Sequence, residues 1–199
     1  MDLKTTLKVC LVAAIETIFC FTPLGTIPIG PIAATLSMVP VCIAALTFGK
    51  RVGMLIGGLF GLYSFIYWTF IMPAFPTAFL FTPFSQAAMY KGNVGSLIIC
   101  FVPRILSGLT PILVSDMFSM TSNNDNSYKG DVVGSIVGSM TNTVLVITLI
   151  LVFFGKEYST IVGKSILAVL GATIITNGIP EAIICAIVCP IIVRVLRNI

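Results

Sequence analysis

The chain has 199 residues, of which 57% are hydrophobic and only 9% charged, with a formal net charge of +4 and a mean hydropathy of +1.10. A soluble domain carries about 25% charged residues, so this chain cannot cover its surface in water and lipid must be its solvent. Its scattered basic residues exclude a nucleic-acid patch, and the absence of histidine excludes His-based metal centres, His general bases and Ser-His or Cys-His catalysis.

A helical span needs about 20 mostly apolar residues, so the length allows about six spans with short connections, and no soluble domain of ordinary size. The predicted fold is an all-α integral membrane bundle forming one domain, 1–199. The first span is predicted over residues 7–21. It follows a basic start that could pass for a signal peptide, but a small-x-small cleavage site is lacking and Glu16 interrupts the apolar run, so it is read as a retained helix. Residues 22–31 carry Pro23, Pro28 and Pro31, which end helices, yet stay apolar; a lid-like loop lying against the bundle fits. The second span covers 32–48 and ends at the basic turn Gly49-Lys50-Arg51. The third, 52–72, opens with Gly53, Gly57 and Gly61 on one face, a small-residue stripe that lets helix backbones approach closely in lipid. Residues 73–92, with three prolines and four phenylalanines, read as an interfacial cap. The fourth span, 93–117, is interrupted by Pro103-Arg104 and Pro111, and a polar run over 119–131 leads to the fifth, 132–154. After a short turn the sixth covers 165–195, long enough to tilt or to break near Gly178-Ile179-Pro180.

An even number of spans puts both termini on one side. Lys4, Lys8, Lys50, Arg51, Lys129, Arg194 and Arg197 fall on that side, against Lys91, Lys156 and Lys164 on the other. The positive-inside rule then makes both termini cytoplasmic. The proline-rich and phenylalanine-rich loops face outward, as lids over a solute pocket would.

Ionisable groups inside spans cost several kcal/mol and need a reason. Glu16 lies near an outer helix end and is expected to snorkel; Asp116 lies near an inner end and is expected to meet water. At about 1.5 Å per residue, Arg104, Asn142 and Asn177 lie at similar depth, each about 11–12 residues from an outer helix end. A guanidinium keeps its charge when buried and grips a carboxylate bidentately. The two amides suit the hydroxyl and amide groups of a ligand. Arg104 could equally pair with Glu181 or bond backbone freed by Pro103, and the amides could join helices to each other. Glu181, one turn after Asn177, either neutralises Arg104 or meets the solute, and Tyr67 joins the candidate substrate-binding residues from the third span. The six cysteines form no CxxC pair and read as packing residues. No catalytic residue, metal site or cofactor is expected. Gly163-Lys164-Ser165 mimics the end of a phosphate-binding loop, but position 158, where its first glycine belongs, is Tyr158.

The ensemble resembles the substrate-binding S components of energy-coupling factor (ECF) vitamin transporters. The likeness rests on the length, the apolar first loop, FGKRVGMLIGGLFGLYSFI after the second span, PR in the fourth, GSMTNT in the fifth and TNGIPEA in the sixth. It is strongest toward the pantothenate-specific members. Pantothenate carries one carboxylate, one amide and two hydroxyls, which suit Arg104 with Asn142 and Asn177. Riboflavin, folate, thiamine or a related micronutrient is the alternative cargo, and a structural or regulatory membrane protein the more distant one. The resemblance implies a bacterial cell-membrane protein that is not itself an enzyme. It implies an EcfT-like transmembrane coupling subunit and two ATPase subunits as partners. The first helix would meet the coupling subunit through an AxxxA-like face, here the degenerate pairs Cys10-Ala14 and Ala13-Thr17.

Overall fold

A computed structural model describes residues 3–22, 26–27, 34–85, 90–121, 127–162 and 171–198. Helix α1 spans Leu3–Phe21 and buries Val12, Glu16 and Cys20, which recur every fourth residue on one face. Thr26–Ile27 (β1) and Ala34–Thr35 (β2) pair antiparallel, Thr26 opposite Thr35 and Ile27 opposite Ala34. The rest of the expected lid, residues 23–25 and 28–31, lies outside the described residues.

Helix α2 begins only at Met38 and ends at Phe48. The span expected from residue 32 therefore starts late: 32–33 are not described, Ala34 and Thr35 sit in the ladder, and Pro40 occupies the first helical turn, where its missing N–H costs nothing. At about 1.5 Å per residue its 11 residues reach roughly half of a 30 Å hydrocarbon layer. Met38 through Leu46 are all buried, and α2 packs on α1, α3 and three further helices, so it is the central pillar of the bundle. Gly49, with φ of 87°, is the one positive-φ glycine among the described residues, and it turns α2 directly into α3 (Lys50–Ile66).

Helix α3 runs on into a π-helical turn, Tyr67–Ile71, and the chain then packs a short 3₁₀ turn, Ala78–Leu80. Helix α4 (Val94–Ser107) opens with a capping box, in which Asn93 Oδ1 accepts from Gly95 N at 2.7 Å and Ser96 Oγ accepts from Asn93 N at 3.1 Å. Pro103 sits inside α4 without ending it; the break falls at Gly108-Leu109, just before Pro111, and α5 follows over Thr110–Thr121. Helix α6 spans Ser127–Val162 with a kink at Phe154, where the fifth span was expected to stop. After residues 163–170, which are not described and include both the Gly163-Lys164-Ser165 segment and the expected start of the sixth span, a second π-helical turn, Ile174–Gly178, leads into α7, Ile179–Asn198.

Lys50–Ile71, Val94–Met120, Tyr128–Tyr158 and Gly171–Asn198 are each long and apolar enough to cross a bilayer. Apart from the two-residue ladder, the regular structure of the described residues is helical. The glycine stripe works as a close-packing seam. A Cβ on Gly53 would meet the carbonyl of Gly108, one on Gly57 that of Arg104, and one on Gly61 that of Cys100 at 3.1 Å. Helices α3 and α4 therefore run antiparallel, backbone against backbone, in a register that only glycine permits.

Candidate functional site

One cavity of about 830 Å³, its mouth included, opens between α3, α4, α6 and the π turn that leads into α7. Tyr67, Arg104, Asn142, Asn177 and Glu181 all line it, so the sequence candidates from four separate segments converge. The hydroxyls of Ser37, Thr77, Thr143 and Thr173 add polar points to a wall otherwise made by Phe60, Trp68, Phe81, Val146 and Ile147.

Arg104 owes its pose to its neighbour. Pro103 has no N–H to give the carbonyl four residues back, and Arg104 Nη1 donates to that Ile99 carbonyl instead. The guanidinium carbon lies 5.4 Å from the Phe60 ring centroid and 5.3 Å from that of Phe81, so aromatic faces hold the cation from two directions. Its Nε is buried with no hydrogen-bond partner among the described residues. Glu181 lies near enough for its charge to act on the guanidinium. The bond to the backbone freed by Pro103 is thus present, and the donor fork is not fully used among the described residues.

Asn142 projects from the middle of α6 and Asn177 from the second π turn; each is 6% exposed. The Oδ1 of Asn142 is buried and accepts no hydrogen bond from the described residues. Glu181 follows in the first turn of α7, also 6% exposed. Both π turns abut the cavity, since Tyr67 opens the first and Asn177 lies in the second. A π turn is less favourable than α-helix and is found mostly at functional sites. Pro180, lacking an N–H two residues past the second turn, is the one sequence sign of it.

The phenylalanine-rich connection does cap this end of the bundle in its described part. Ala78, Phe79 and Leu80 are fully buried, Trp68 stacks on Phe81 at 5.4 Å and 18°, and Thr69 Oγ1 donates to Thr82 Oγ1 at 2.7 Å. Ser96 Oγ donates to the Phe79 carbonyl at 2.6 Å, which ties the cap to the start of α4. Residues 86–89 lie outside the described residues.

Glu16 departs from its expectation. It does not snorkel: it is 0% exposed and accepts from the Cys20 thiol at 3.2 Å, while Cys20 Sγ lies 3.5 Å from Ser37 Oγ at the cavity floor. Asp116 does reach the surface, half exposed, 3.8 Å from Lys50 Nζ. Asp131 passes unremarked in the sequence because it borders a polar run. In the structure it is buried, paired with Arg197 at 2.7 Å and bonded by Ser115 Oγ at 2.9 Å, a clamp between α5, α6 and α7. Of the docking candidates on α1, Cys10 and Ala14 are exposed, whereas Ala13 and Thr17 are half-buried, with Thr17 Oγ1 donating to Ala13 O at 2.8 Å and to Tyr63 Oη at 3.0 Å.

A protein-family model described as "ECF transporter, substrate-specific component" matches residues 7–193. The chain is also similar to a protein named pantothenic acid transporter PanT from Lactococcus lactis subsp. cremoris, with 37% identity over 169 residues, covering 84% of this chain and 80% of that protein.

Proposed function

The chain belongs to the family of ECF-transporter substrate-specific components, and on that premise we propose that it captures pantothenate for import, in the cavity lined by Arg104, Asn142, Asn177 and Glu181. The relative named for pantothenic acid supports the choice of cargo. The observation that carries the recognition chemistry is Arg104: a buried guanidinium held in place by the Ile99 carbonyl and two rings, with its Nε unspent. Leaving such a donor buried and unbonded costs about 1–3 kcal/mol or more. A carboxylate arriving from outside removes that cost and neutralises the charge.

In this reading Arg104 takes the carboxylate. Asn142 and Asn177 take the amide and hydroxyls, Glu181 orients the guanidinium or accepts a hydroxyl proton, and Tyr67 closes the wall. No covalent chemistry falls to this chain; ATP hydrolysis belongs to two ATPase subunits, acting through an EcfT-like transmembrane coupling subunit. The single domain 1–199 sits in a bacterial cell membrane with six spans and both termini cytoplasmic. The coupling subunit docks on α1 at the face carrying Cys10 and Ala14, which is exposed, rather than at Ala13 and Thr17, which turn toward α3.

Trp68 stacked on Phe81, beside Tyr67, favours a second reading in which a flat-ringed vitamin such as riboflavin, folate or thiamine is the cargo. Titration calorimetry of the purified protein separates the two. Heat at one equivalent with pantothenate and none with the ring vitamins is the expected outcome. Saturable heat with a ring vitamin alone would replace the cargo, and silence with every vitamin would remove the binding role.

A further inference from the structure

Three of the six cysteines converge. Cys185 and Cys189, one turn apart on α7, meet Cys42 of α2, and the three Sγ atoms all lie within 4.8 Å of one another. All three residues are 0% exposed. The other cysteines have simpler settings: Cys10 is exposed, Cys20 bonds Glu16, and Cys100 donates to the Gly61 carbonyl at 3.2 Å. Packing alone does not require three sulfurs to gather. The backbone makes room for them, since a Cβ on Gly138 of α6 would stand 3.2 Å from Cys42 Sγ. The cluster lies about one turn beneath the cavity floor, because the cavity-lining Ser37 and Glu181 precede Cys42 and Cys185 by five and four residues on the same helices.

We propose that Cys42, Cys185 and Cys189 bind one thiophilic d¹⁰ cation through sulfur alone, with Cu(I) the biological ion that fits. At metal–sulfur distances of about 2.3 Å, a trigonal site needs sulfurs about 4 Å apart, and rotamer adjustment within the observed 4.8 Å suffices. Soft thiolates select Cu(I) or Zn(II) over hard cations. Structural zinc takes a fourth protein ligand, and among the described residues no further cysteine or carboxylate joins these three sulfurs. The carbonyls of Val39 and Ser135 instead accept from Cys189 at 3.6 Å and Cys42 at 3.9 Å, hydrogen bonds that orient the thiols. Binding Cu(I) releases one S–H proton to bulk solvent, so one sulfur binds as thiolate and two as neutral thiols. The site stays closest to neutral, as an apolar interior demands, when proton loss equals the ion's charge. The bound ion would fasten α2 to α7 below the solute cavity.

The test is anaerobic titration of the full-length protein with Cu(I) against a chromophoric chelator, and with Cd(II) for its sulfur-to-metal charge-transfer band. One equivalent is expected to bind. The variant with Cys10, Cys20 and Cys100 changed to serine is expected to keep that binding. Cys42→Ser and Cys189→Ser should each weaken it by more than the roughly 10–100-fold that loss of an outer-shell partner costs. Thermal unfolding and the helical circular-dichroism signal check that each variant is folded, and Cys185→Ser replaces either one that is not. Absence of the band in the wild type, or an undiminished band in folded Cys42→Ser or Cys189→Ser, overturns the proposal.

Discussion

At the scale of single residues, a polar side chain in lipid is kept only where it finds something to bond. Arg104, Asn142, Asn177 and Glu181 stand out in an apolar run because each demands a partner, and all four line the cavity. Ser37, Thr77, Thr143 and Thr173 line it too, yet a hydroxyl in a helix can bond its own backbone, as Thr141 Oγ1 does to the Val137 carbonyl at 2.7 Å. Such residues carry no signal of a site. Glu16 shows the opposite error: distance along a helix cannot tell whether a carboxyl turns to the interface or to Cys20 inside the bundle. The guanidinium offers the sharpest test. Arg104→Ala removes the charge that would meet a carboxylate, and truncating one partner of a buried charge pair costs about 2–5 kcal/mol, so pantothenate affinity is expected to fall by about 30-fold or more. Arg104→Lys keeps the charge but loses the planar fork that reaches the Ile99 carbonyl and lies over Phe60 and Phe81. It is expected to recover little of the binding. Calorimetry on both variants reads the outcome, and wild-type affinity in either one removes the fork from recognition.

Elements repeat this pattern. The four-residue spacing of Gly53, Gly57 and Gly61 states a packing face without naming its partner, and the structure supplies α4. Boundaries were less legible, because hydropathy registers apolarity and not backbone conformation. Residues before Met38 are as apolar as a span, but Ala34 and Thr35 pair as strand. Pro103 looks like a breaker, but Arg104 heals the lost hydrogen bond, so α4 runs through it. Gly57 joins this packing to function, since the carbonyl its missing Cβ would strike is that of Arg104 itself. Gly57→Ala therefore pushes on the peptide that carries the guanidinium. Overpacking of this kind costs about 1–3 kcal/mol, and an unfolding temperature several degrees lower, with weaker pantothenate binding, is expected. Gly58 is the internal control, because its nearest neighbour would be Ile105 Cγ1 at 3.8 Å. Gly58→Ala should match the wild type or exceed it slightly. Equal behaviour of the two variants, read by thermal unfolding and calorimetry, would mean the seam has slack.

For the whole molecule, the composition already required lipid, and four long apolar helices meet that requirement. The described bundle gathers polar groups inside, around the cavity and the Asp131–Arg197 clamp, and leaves many large apolar side chains exposed on its flanks. An apolar exterior is therefore no mark of a docking face in this protein, since lipid covers every flank. What sets α1 apart is its relief. Leu7, Leu11 and Ile18 stand 62%, 59% and 52% exposed, and between them Cys10 and Ala14 leave a shallow groove where another helix backbone could approach closely. Helix α1 is also lightly held, packing mainly on α2 and α3 and tied to the end of α7 by Lys8 Nζ donating to the Leu196 carbonyl at 3.0 Å. A helix attached on one side and open on the other suits the docking role proposed for it. Ala14→Trp fills the groove while pointing away from the core. Purified, the variant should bind pantothenate as the wild type does; with the coupling and ATPase subunits present, its uptake of labelled pantothenate should be lost. Leu62→Trp, on the lipid-facing side of α3 at 41% exposure, adds the same bulk elsewhere and should leave uptake intact. Normal uptake by Ala14→Trp would move the docking face off α1, whereas loss in both variants would trace the defect to bulk in the membrane and not to a lost partner.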